Sequence, residues 1–321
     1  MTVARYIQVA PESSFGGATS AAFTRIRATG FSDNVNRNAT FEEGCDIAAP
    51  TYAVAGVYKA TGTIDGLLRF SQMSSIINNV LGDTGKLSMS ANTSSMKVVI
   101  GDDQADDGAG VNIRYEGVAF TSMEFTFAAK EFVKAKYSWV GASAAIDTTT
   151  ATAELQTDVL PGITYNAVVQ AGGSAFNCKS LTLKVDRKID EDYYFIGSPL
   201  LQGIYANAPT DISGTITFGA GEWDNLKKVI TGDQDVTITA PALGTTAASH
   251  GGAVNELAST SLKILVGDSD ASDTQCTFWL ANIIMNETTH SVTGRNQWEK
   301  TVNYKAYVTS ANDFQIAAAT S

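Results

Sequence analysis

The sequence predicts a mainly β (α+β) protein built from two similar domains, each with one amphipathic helix. Three observations support this prediction. Strand-forming residues alternate with polar ones along much of the chain, two segments change to a helical period, and one phrase occurs twice. The phrase is "MKVVIGDDQADD" at 96–107 and "LKILVGDSDASD" at 262–273. With 321 residues, 44% of them hydrophobic, the chain is long enough to form two cores.

Alternation with a period of two predicts which side chains each strand buries. "SMEFTFA" is expected to bury Met123, Phe125 and Phe127, while its Ser, Glu and Thr residues point the other way. The other strands of this kind have the inward sets Ala135, Tyr137 and Trp139; Leu181, Leu183 and Val185; and Val302, Tyr304, Ala306 and Val308. We expect a core on one face of each sheet and a polar surface on the other.

Two segments have the apolar stripe of a helix instead. The first stripe runs over 70–81, and Gly82 stands where a C-terminal cap is expected. The second stripe comprises Trp223, Leu226, Val229 and Ile230, before Gly232. Each helix is expected to pack on the sheet of its own domain, because an isolated helix of this length is only marginally stable.

The landmarks of the two halves follow the same order: a Gly- and Thr-rich strand, a helix, the repeated phrase and a closing strand. Phe132 lies 36 residues after Met96, and Trp298 lies 36 residues after Leu262. This order indicates a tandem duplication. We therefore predict a first domain at 1–155 with an N-terminal arm and a second at 156–321 with a C-terminal arm.

Composition and motifs argue against several functional classes. The net charge of −11 is unlike that of a protein that grips nucleic acid phosphates. His250 and His290 have no catalytic constellation around them, and the chain has no motif for a phosphate, dinucleotide or zinc site. We therefore expect no enzyme, no cofactor and no metal site.

Targeting signals and reactive cysteines are not expected either. No apolar run is long enough to span a membrane, and the start of the sequence lacks a signal peptide's apolar region. The protein is thus expected to be made and assembled in the cytosol. Cys45, Cys178 and Cys276 are expected to be reduced and structural.

The carboxylates that follow each copy of the phrase could attract calcium, but they fail the EF-hand pattern. Counted from Asp103, the third position is Ala105 and the twelfth is Arg114. "GDSDASD" lacks both the Gly and the closing Glu. Solvated turns between strands are the better interpretation.

The first half of the sequence resembles the tail tube proteins of tailed bacteriophages. The resemblance rests on an opening "VAPESSFG", then "YAVAGVYKATGTIDG", a helix ending in Leu-Gly, and a closing "YEGVAFTSMEFTF". The second half follows more loosely, with "FWLANIIMN" in place of the "YEG" element. The order of these motifs is more specific than any one of them.

The resemblance implies β-sandwich domains with a flanking helix, whose sheet edges join neighbours into rings that stack into a hollow tube. Two domains per chain would give a trimeric ring of pseudo-sixfold symmetry. An acidic lumen would keep DNA from sticking during ejection. The candidate residues for this rim or lumen are Asp102, Asp103, Asp106, Asp107, Glu124, Asp268, Asp270 and Asp273.

The long loops at 33–56 and 187–203 are the implied contacts between subunits or rings. Their candidate residues are Arg37, Glu42, Glu43, Tyr52, Arg187, Asp190, Tyr194 and Tyr205. The implied partners are further copies of the chain, a tape-measure protein, viral DNA without sequence-specific binding, tail terminator and distal-tail or baseplate proteins, and a sheath protein if the tail contracts. No membrane partner is implied, and the expected location is the virion tail, after assembly in the host cytoplasm.

Two alternatives remain open. One is a distal-tail or baseplate hub protein of the same fold, which would be present in few copies per virion. The other is a carbohydrate-binding β-sandwich of a tail fibre, which would need an exposed aromatic platform. The four Trp residues lie mostly in apolar strand or helix patterns, which argues against the second alternative.

Overall fold

The computed structural model describes residues 5–37, 40–42, 52–54, 56–88, 94–102, 112–147, 160–172, 174–218, 260–267, 274–291 and 299–318. Over these residues the chain is mainly β, as predicted, with one helix. The elements of the first half are β1 (Arg5–Pro11), β2 (Thr24–Ile26), β3 (Ala28–Asn36), β4 (Thr40–Glu42), β5 (Tyr52–Val54), β6 (Lys59–Leu67), α1 (Phe70–Leu81), β7 (Met96–Asp102), β8 (Asn112–Ala128), β9 (Lys134–Gly141) and β10 (Ser143–Asp147). Those of the second half are β11 (Ile163–Ala171), β12 (Ser174–Ala175), β13 (Cys178–Asp186), β14 (Asp211–Phe218), β15 (Thr260–Gly267), β16 (Thr274–Ser291), β17 (Glu299–Ala306) and β18 (Phe314–Ala318).

The chain divides into two compact units, and each takes residues from both halves of the sequence. Unit 1 comprises Met1–Glu124, Lys134–Pro161 and Val185–Thr210. Unit 2 comprises Phe125–Val133, Gly162–Lys184 and Asp211–Ser321. Strand β8 therefore ends in unit 2, and β13 ends in unit 1. The simple division at residues 155 and 156 stays a prediction.

In unit 1, one set of antiparallel strands has the order β2, β1, β7, β8, β10. A second set has the order β3, β6, β9, and β9 also neighbours β8. The segment expected to be an N-terminal arm is thus partly a strand, because β1 lies between β2 and β7. The large buried side chains of this unit include Trp139, Tyr115, Tyr137 and Phe120.

Helix α1 confirms the first predicted helix and its apolar stripe. Met73, Ile76, Ile77, Val80 and Leu81 are fully buried. Gly82 ends the helix with a φ of 78°, and its N–H donates to the carbonyl of Asn78 at 2.7 Å. Glycine suits this left-handed cap because it has no Cβ. The second predicted helix, around Trp223 and Gly232, lies outside the described residues.

In unit 2 the strand order is β12, β11, β15, β16, β17, β14, β13, and β18 pairs with β16. The predicted C-terminal arm therefore includes a strand. Phe125 and Phe127 pack edge-to-face on Phe278, with ring centroids 4.9 and 5.6 Å away.

The predicted inward sets of all the alternating strands are buried, except that Ala306 and Val308 are only half-buried. Strand β17 ends at Ala306, so Val308 lies beyond the ladder that would have covered it.

The two groups of strands are paired in the same way. Strands β1, β2 and β7 pair as β11, β12 and β15 do, and β8 pairs with β7 and β10 as β16 pairs with β15 and β18. Strand β6 lies between β3 and β9, as β14 lies between β13 and β17. Both copies of the repeated phrase begin as strands, β7 and β15.

The correspondence extends to single residues. Gly62 pairs with Trp139, and Gly214 pairs with Tyr304. A Cβ atom at either glycine would overlap the aromatic side chain opposite and a carbonyl of the adjoining strand, that of Ser32 or of Thr182. This repeated close approach makes Ser32 the counterpart of Thr182 and makes β3 the counterpart of β13.

Candidate assembly surface

One face of the β3–β6–β9 sheet in unit 1 is polar. The hydroxyls of Ser32 and Thr63 lie 2.8 Å apart, and Thr63 is in register with Ser138 of β9. Asp65 is in register with Lys136. The other face carries the buried Trp139, Tyr137 and Ile64. The sequence alternation therefore produces a core on one side and a hydrophilic surface on the other.

Unit 2 repeats this polar face. The hydroxyls of Thr182 and Thr215 lie 2.9 Å apart, at the positions equivalent to Ser32 and Thr63. Those of Thr217 and Thr301 lie 3.1 Å apart. The Lys305 ammonium lies 2.7 Å from a carboxylate oxygen of Asp211, so these two charges are paired. We call these two surfaces the polar faces of unit 1 and unit 2.

Residues 187–210 form a loop in unit 1 that we call the aromatic loop. The N–H of Tyr58 donates to the carbonyl of Pro199 at 2.7 Å, and the Tyr194 hydroxyl donates to the Tyr58 carbonyl at 3.1 Å. Lys59 pairs with Glu191 at 2.6 Å. Burial alone would lower the pKa of Lys59, but the hydrogen bond and charge of Glu191 outweigh it, so the pKa is raised.

The base of the aromatic loop is packed as firmly as a core. Ile189, Leu201 and Ile204 are buried in one cluster with Ala119 and Val140. The N–H of Asp190 donates to the carbonyl of Tyr205 at 2.7 Å, which ties the two arms of the loop together. The base of the loop is therefore an integral part of the folded unit 1.

The tip of the aromatic loop exposes apolar side chains. Phe195 is 55% exposed, Ile196 is fully exposed, and Leu200 and Tyr205 are also exposed. Tyr193 holds the cluster together, with ring centroids 5.0 Å from Phe195 and 4.8 Å from Tyr205. Contiguous exposed apolar groups on an anchored loop are typical of a protein contact surface.

Arg187 begins this loop but is not on the surface. It is almost completely buried, and its guanidinium donates to the carbonyls of Asn79 and Val80 at 3.2 and 3.1 Å. These carbonyls lie at the C-terminal end of α1, where a cation is favoured. Burial lowers the pKa of Arg187. The expectation of a contact through this side chain is therefore corrected: Arg187 stabilises the helix end within unit 1.

The other candidate contact residues are distributed unevenly. Arg37 is exposed after β3, with its guanidinium carbon 5.8 Å from the centroid of the Tyr58 ring. Asp190 and Tyr194 are half-buried in the aromatic loop, and Tyr205 is exposed there. Glu42 and Tyr52 are in register in the β4–β5 hairpin, and Glu43 lies outside the described residues.

Among the acidic candidates, Glu124 is exposed on β8 between the buried Met123 and Phe125. Asp102 is the last residue of β7, in register with Arg5. Asp103, Asp106, Asp107, Asp268, Asp270 and Asp273 lie outside the described residues. Within the described ranges, no three His, Cys, Asp or Glu side chains come together as a metal site.

Among the described residues, no helix has both the length and the apolar character to cross a membrane.

Cys276 is fully buried in unit 2. Burial raises the pKa of its thiol, which makes it a poor nucleophile.

Sequence reasoning named the aromatic loop and Tyr205, but it missed the exposed Phe195 and Ile196 and the hydroxyl pairs. "DYYFIGSPLLQGIY" at 192–205 carries the signal for the tip, because three aromatic residues and an Ile precede a Gly-Ser-Pro turn without any period. Threonine at alternate positions of "DISGTITF" could have indicated the polar face of unit 2.

A family model described as phage tail tube protein matches residues 2–306, which is nearly the whole chain. No curated protein matches the chain.

Proposed function

The chain belongs to the phage tail tube protein family and is a structural protein of the tail tube, and we propose that three copies form each ring of that tube. The family is structural and is not a known enzyme family. The chain is thus a component of the virion tail.

The trimeric ring is supported by the strand pairing that the two groups of strands share. Strands β1, β2, β3, β6, β7, β8, β9 and β10 have counterparts β11 to β18 in the same order. A chain with two equivalent sets of strands supplies two sectors of a closed ring. Three chains then give a pseudo-sixfold ring under ordinary cyclic symmetry.

In this proposal the polar faces line the channel. They are the hydrophilic sides of the sheets in both units. Lys305 is paired there with Asp211, and Lys136 is in register with Asp65. A surface of hydroxyls with lysines close to carboxylates would hold phosphates weakly, so DNA would pass without sticking. Glu124 and the acidic turns remain candidates for the lumen edge.

The aromatic loop is the proposed contact between stacked rings. Its base is fixed by Leu201 and Ile204, while Phe195 and Ile196 are left exposed. Burial of two such side chains contributes roughly 1.5–3 kcal/mol each. Summed over a ring, contacts of this size would hold a long tube together.

The remaining proposed partners follow from this position in the virion. They are the tape-measure protein and DNA inside the tube, the terminator and distal-tail or baseplate proteins at its ends, and a sheath protein if the tail contracts. Assembly in the host cytoplasm is part of the same proposal.

Electron microscopy of the purified protein, combined with native mass spectrometry, tests the ring. We expect end-on views with six similar sectors and a mass of three 33.8 kDa chains per ring. A ring of six chains, or a protein that stays monomeric under all assembly conditions, would refute the trimer. Copy number in the virion separates the tube from a hub protein, which would be present in one or a few rings.

The carbohydrate-binding alternative has one observation in its favour, the exposed rings of Phe195 and Tyr205. Tyr193 contacts both rings edge-to-face, and the neighbouring Ile196 is aliphatic. This mixed cluster suits a protein contact better than a flat sugar platform. Retention on an immobilised glycan array would support the alternative.

A further inference from the structure

We propose that the edge of β3 in one copy of the chain pairs antiparallel with the C-terminal part of β16, Glu287–Ser291, in a second copy. The proposal rests on the ring described above and specifies which strands join its subunits. An equivalent junction of strands is present within the chain.

Two strand edges could form this junction. Among the described residues, β3 has one neighbouring strand, β6. At Glu287–Ser291, β16 has one neighbouring strand in the described part of the chain, β17. An edge strand offers a row of backbone donors and acceptors to another chain.

The chain contains an equivalent junction between β8 and β13. Strand β13, the counterpart of β3, has neighbours on both sides: β14, and the end of β8. In unit 2, the N–H of Ala129 at the end of β8 donates to the carbonyl of Lys179 at 2.9 Å. Since β8 is the counterpart of β16, β3 and the end of β16 are the two edges that a repeat of this junction would join.

Strand β3 is more exposed than its counterpart β13. Val35 lies three residues after Ser32, as Val185 lies three residues after Thr182. Val35 is 43% exposed, whereas Val185 is completely buried. Ser32, Asp33, Asn34 and Asn36 are exposed too. Strand β8 pairs with β13 on the side away from β14, whereas β3 has the exposure expected of an edge strand.

The geometry of repetition then defines the interface. The junction uses one surface of the first copy and a different surface of the second, so it is heterologous and propagates in one direction. Each chain would therefore use its β3 edge towards one neighbour and the end of its β16 towards the other.

Cysteine pairs test the proposal in the full-length chain. In β16, Glu287, Thr289 and Ser291 are in register with Asn303, Thr301 and Glu299 of β17. Ser32→Cys is combined in turn with Glu287→Cys, Thr289→Cys or Ser291→Cys, since residues on facing strands come within disulfide reach. We expect one combination to give cross-linked dimers and trimers on a non-reducing gel, in assembled rings only.

The matched controls are a pair inside the chain and a pair of remote residues. Thr126→Cys with Thr182→Cys repeats the junction within unit 2 and should cross-link whether or not rings form. Ser32→Cys with Gln315→Cys should not cross-link. The single variants correct for Cys45, Cys178 and Cys276.

A proline variant gives a second readout that needs no oxidation. Two backbone hydrogen bonds join β13 and the residue after it to β8 and the residue after that strand: Ala129 N–H to the Lys179 carbonyl, and Arg187 N–H to the Thr121 carbonyl, each 2.9 Å. The backbone groups of β13 that point towards β8, away from β14, therefore belong to odd-numbered residues. The equivalent outward residues of β3 include Val35. Proline is tolerated on an edge strand whose N–H faces outward. We therefore expect Val35→Pro to leave the monomer folded and to reduce ring formation at least tenfold.

The outcomes separate this proposal from the proposed function. If rings form in microscopy but no β16 position cross-links to residue 32, or Val35→Pro assembles normally, the strand junction is wrong and the tube subunit stands. If the parent chain forms no ring under any condition, both proposals fail.

Discussion

Gly62 lies against the indole ring of Trp139, so closely that a Cβ atom at residue 62 would overlap the ring. The same relationship holds between Gly214 and Tyr304 in unit 2. We expect Gly62→Ala and Gly214→Ala each to lower the free energy of unfolding by about 1–3 kcal/mol, because the rings are buried and have no room to move. Urea titration of the unassembled protein, followed by tryptophan fluorescence, measures the change.

Gly30→Ala is the matched control for this prediction. It also lies in a strand of unit 1, but a Cβ there would lie 3.4 Å from the nearest atom, Oδ2 of Asp65. We expect little change in the urea midpoint. An equal loss in all three variants would mean that the aromatic contacts are not the cause.

Arg187→Met should destabilise unit 1 by about 1–3 kcal/mol, because it leaves the carbonyls of Asn79 and Val80 buried without their donor. Loss of helical circular dichroism at a lower urea concentration is the expected sign. Lys188→Met is the control, since Lys188 is exposed and paired with Asp186 at 2.6 Å. A wild-type urea midpoint for Arg187→Met would contradict the role given to this side chain.

Arg37→Met provides a second comparison for Arg187. Arg37 follows β3 as Arg187 follows β13, yet it is exposed in the single chain. We expect this variant to unfold like the parent protein and to assemble less completely. A lower urea midpoint for the unassembled variant would show that Arg37, like Arg187, stabilises the folded chain.

We expect Asp313 to make the free energy of unfolding depend on pH. Hydrogen bonds from the side chain and backbone of Thr309, and from those of Ser310, lower the pKa of Asp313 to about 2. A lowered carboxylate pKa adds stability above the pKa of the unfolded chain, and this stability is lost as pH falls towards about 2. Asp313→Asn should therefore be less stable than the parent at neutral pH.

The difference between the two proteins should shrink between about pH 4 and pH 2, as the parent's carboxyl is protonated. Thermal unfolding at several pH values measures it, and Asp83→Asn, in the turn after α1, is the control. A constant difference across this range would exclude the ionised form of Asp313 as its source.

The tip of the aromatic loop should control the length of tubes. Phe195→Ser combined with Ile196→Ser removes exposed apolar groups and leaves the loop base untouched, so we expect normal rings and at least severalfold shorter tubes. Tube lengths in electron micrographs measure the effect. Tyr165→Ser with Val168→Ser, which removes two exposed apolar residues of unit 2, is the matched control. If both double variants shorten tubes equally, the loop has no special part in stacking.

The sequence predicted those parts of the fold that depend on neighbours within about one turn or one strand. The stripe from Met73 to Leu81 and the alternation around Trp139 are local signals, and the structure confirms both. The buried position of Arg187 could not be read in this way. Its partners are about 108 residues earlier, and an arginine in a loop is ordinarily exposed. Pairings such as that between β6 and β9 also depend on contacts far apart in the sequence.

The exchange of segments between the units has a consequence for synthesis on the ribosome. Unit 1 includes Val185–Thr210, so it cannot be completed until a stretch well beyond the repeated first half has left the exit tunnel. A nascent chain halted near residue 155 would have α1 but lack the arginine that closes its end. Such a chain would also lack Leu201 and Ile204, which are buried in unit 1, so the core of its first unit would be incomplete.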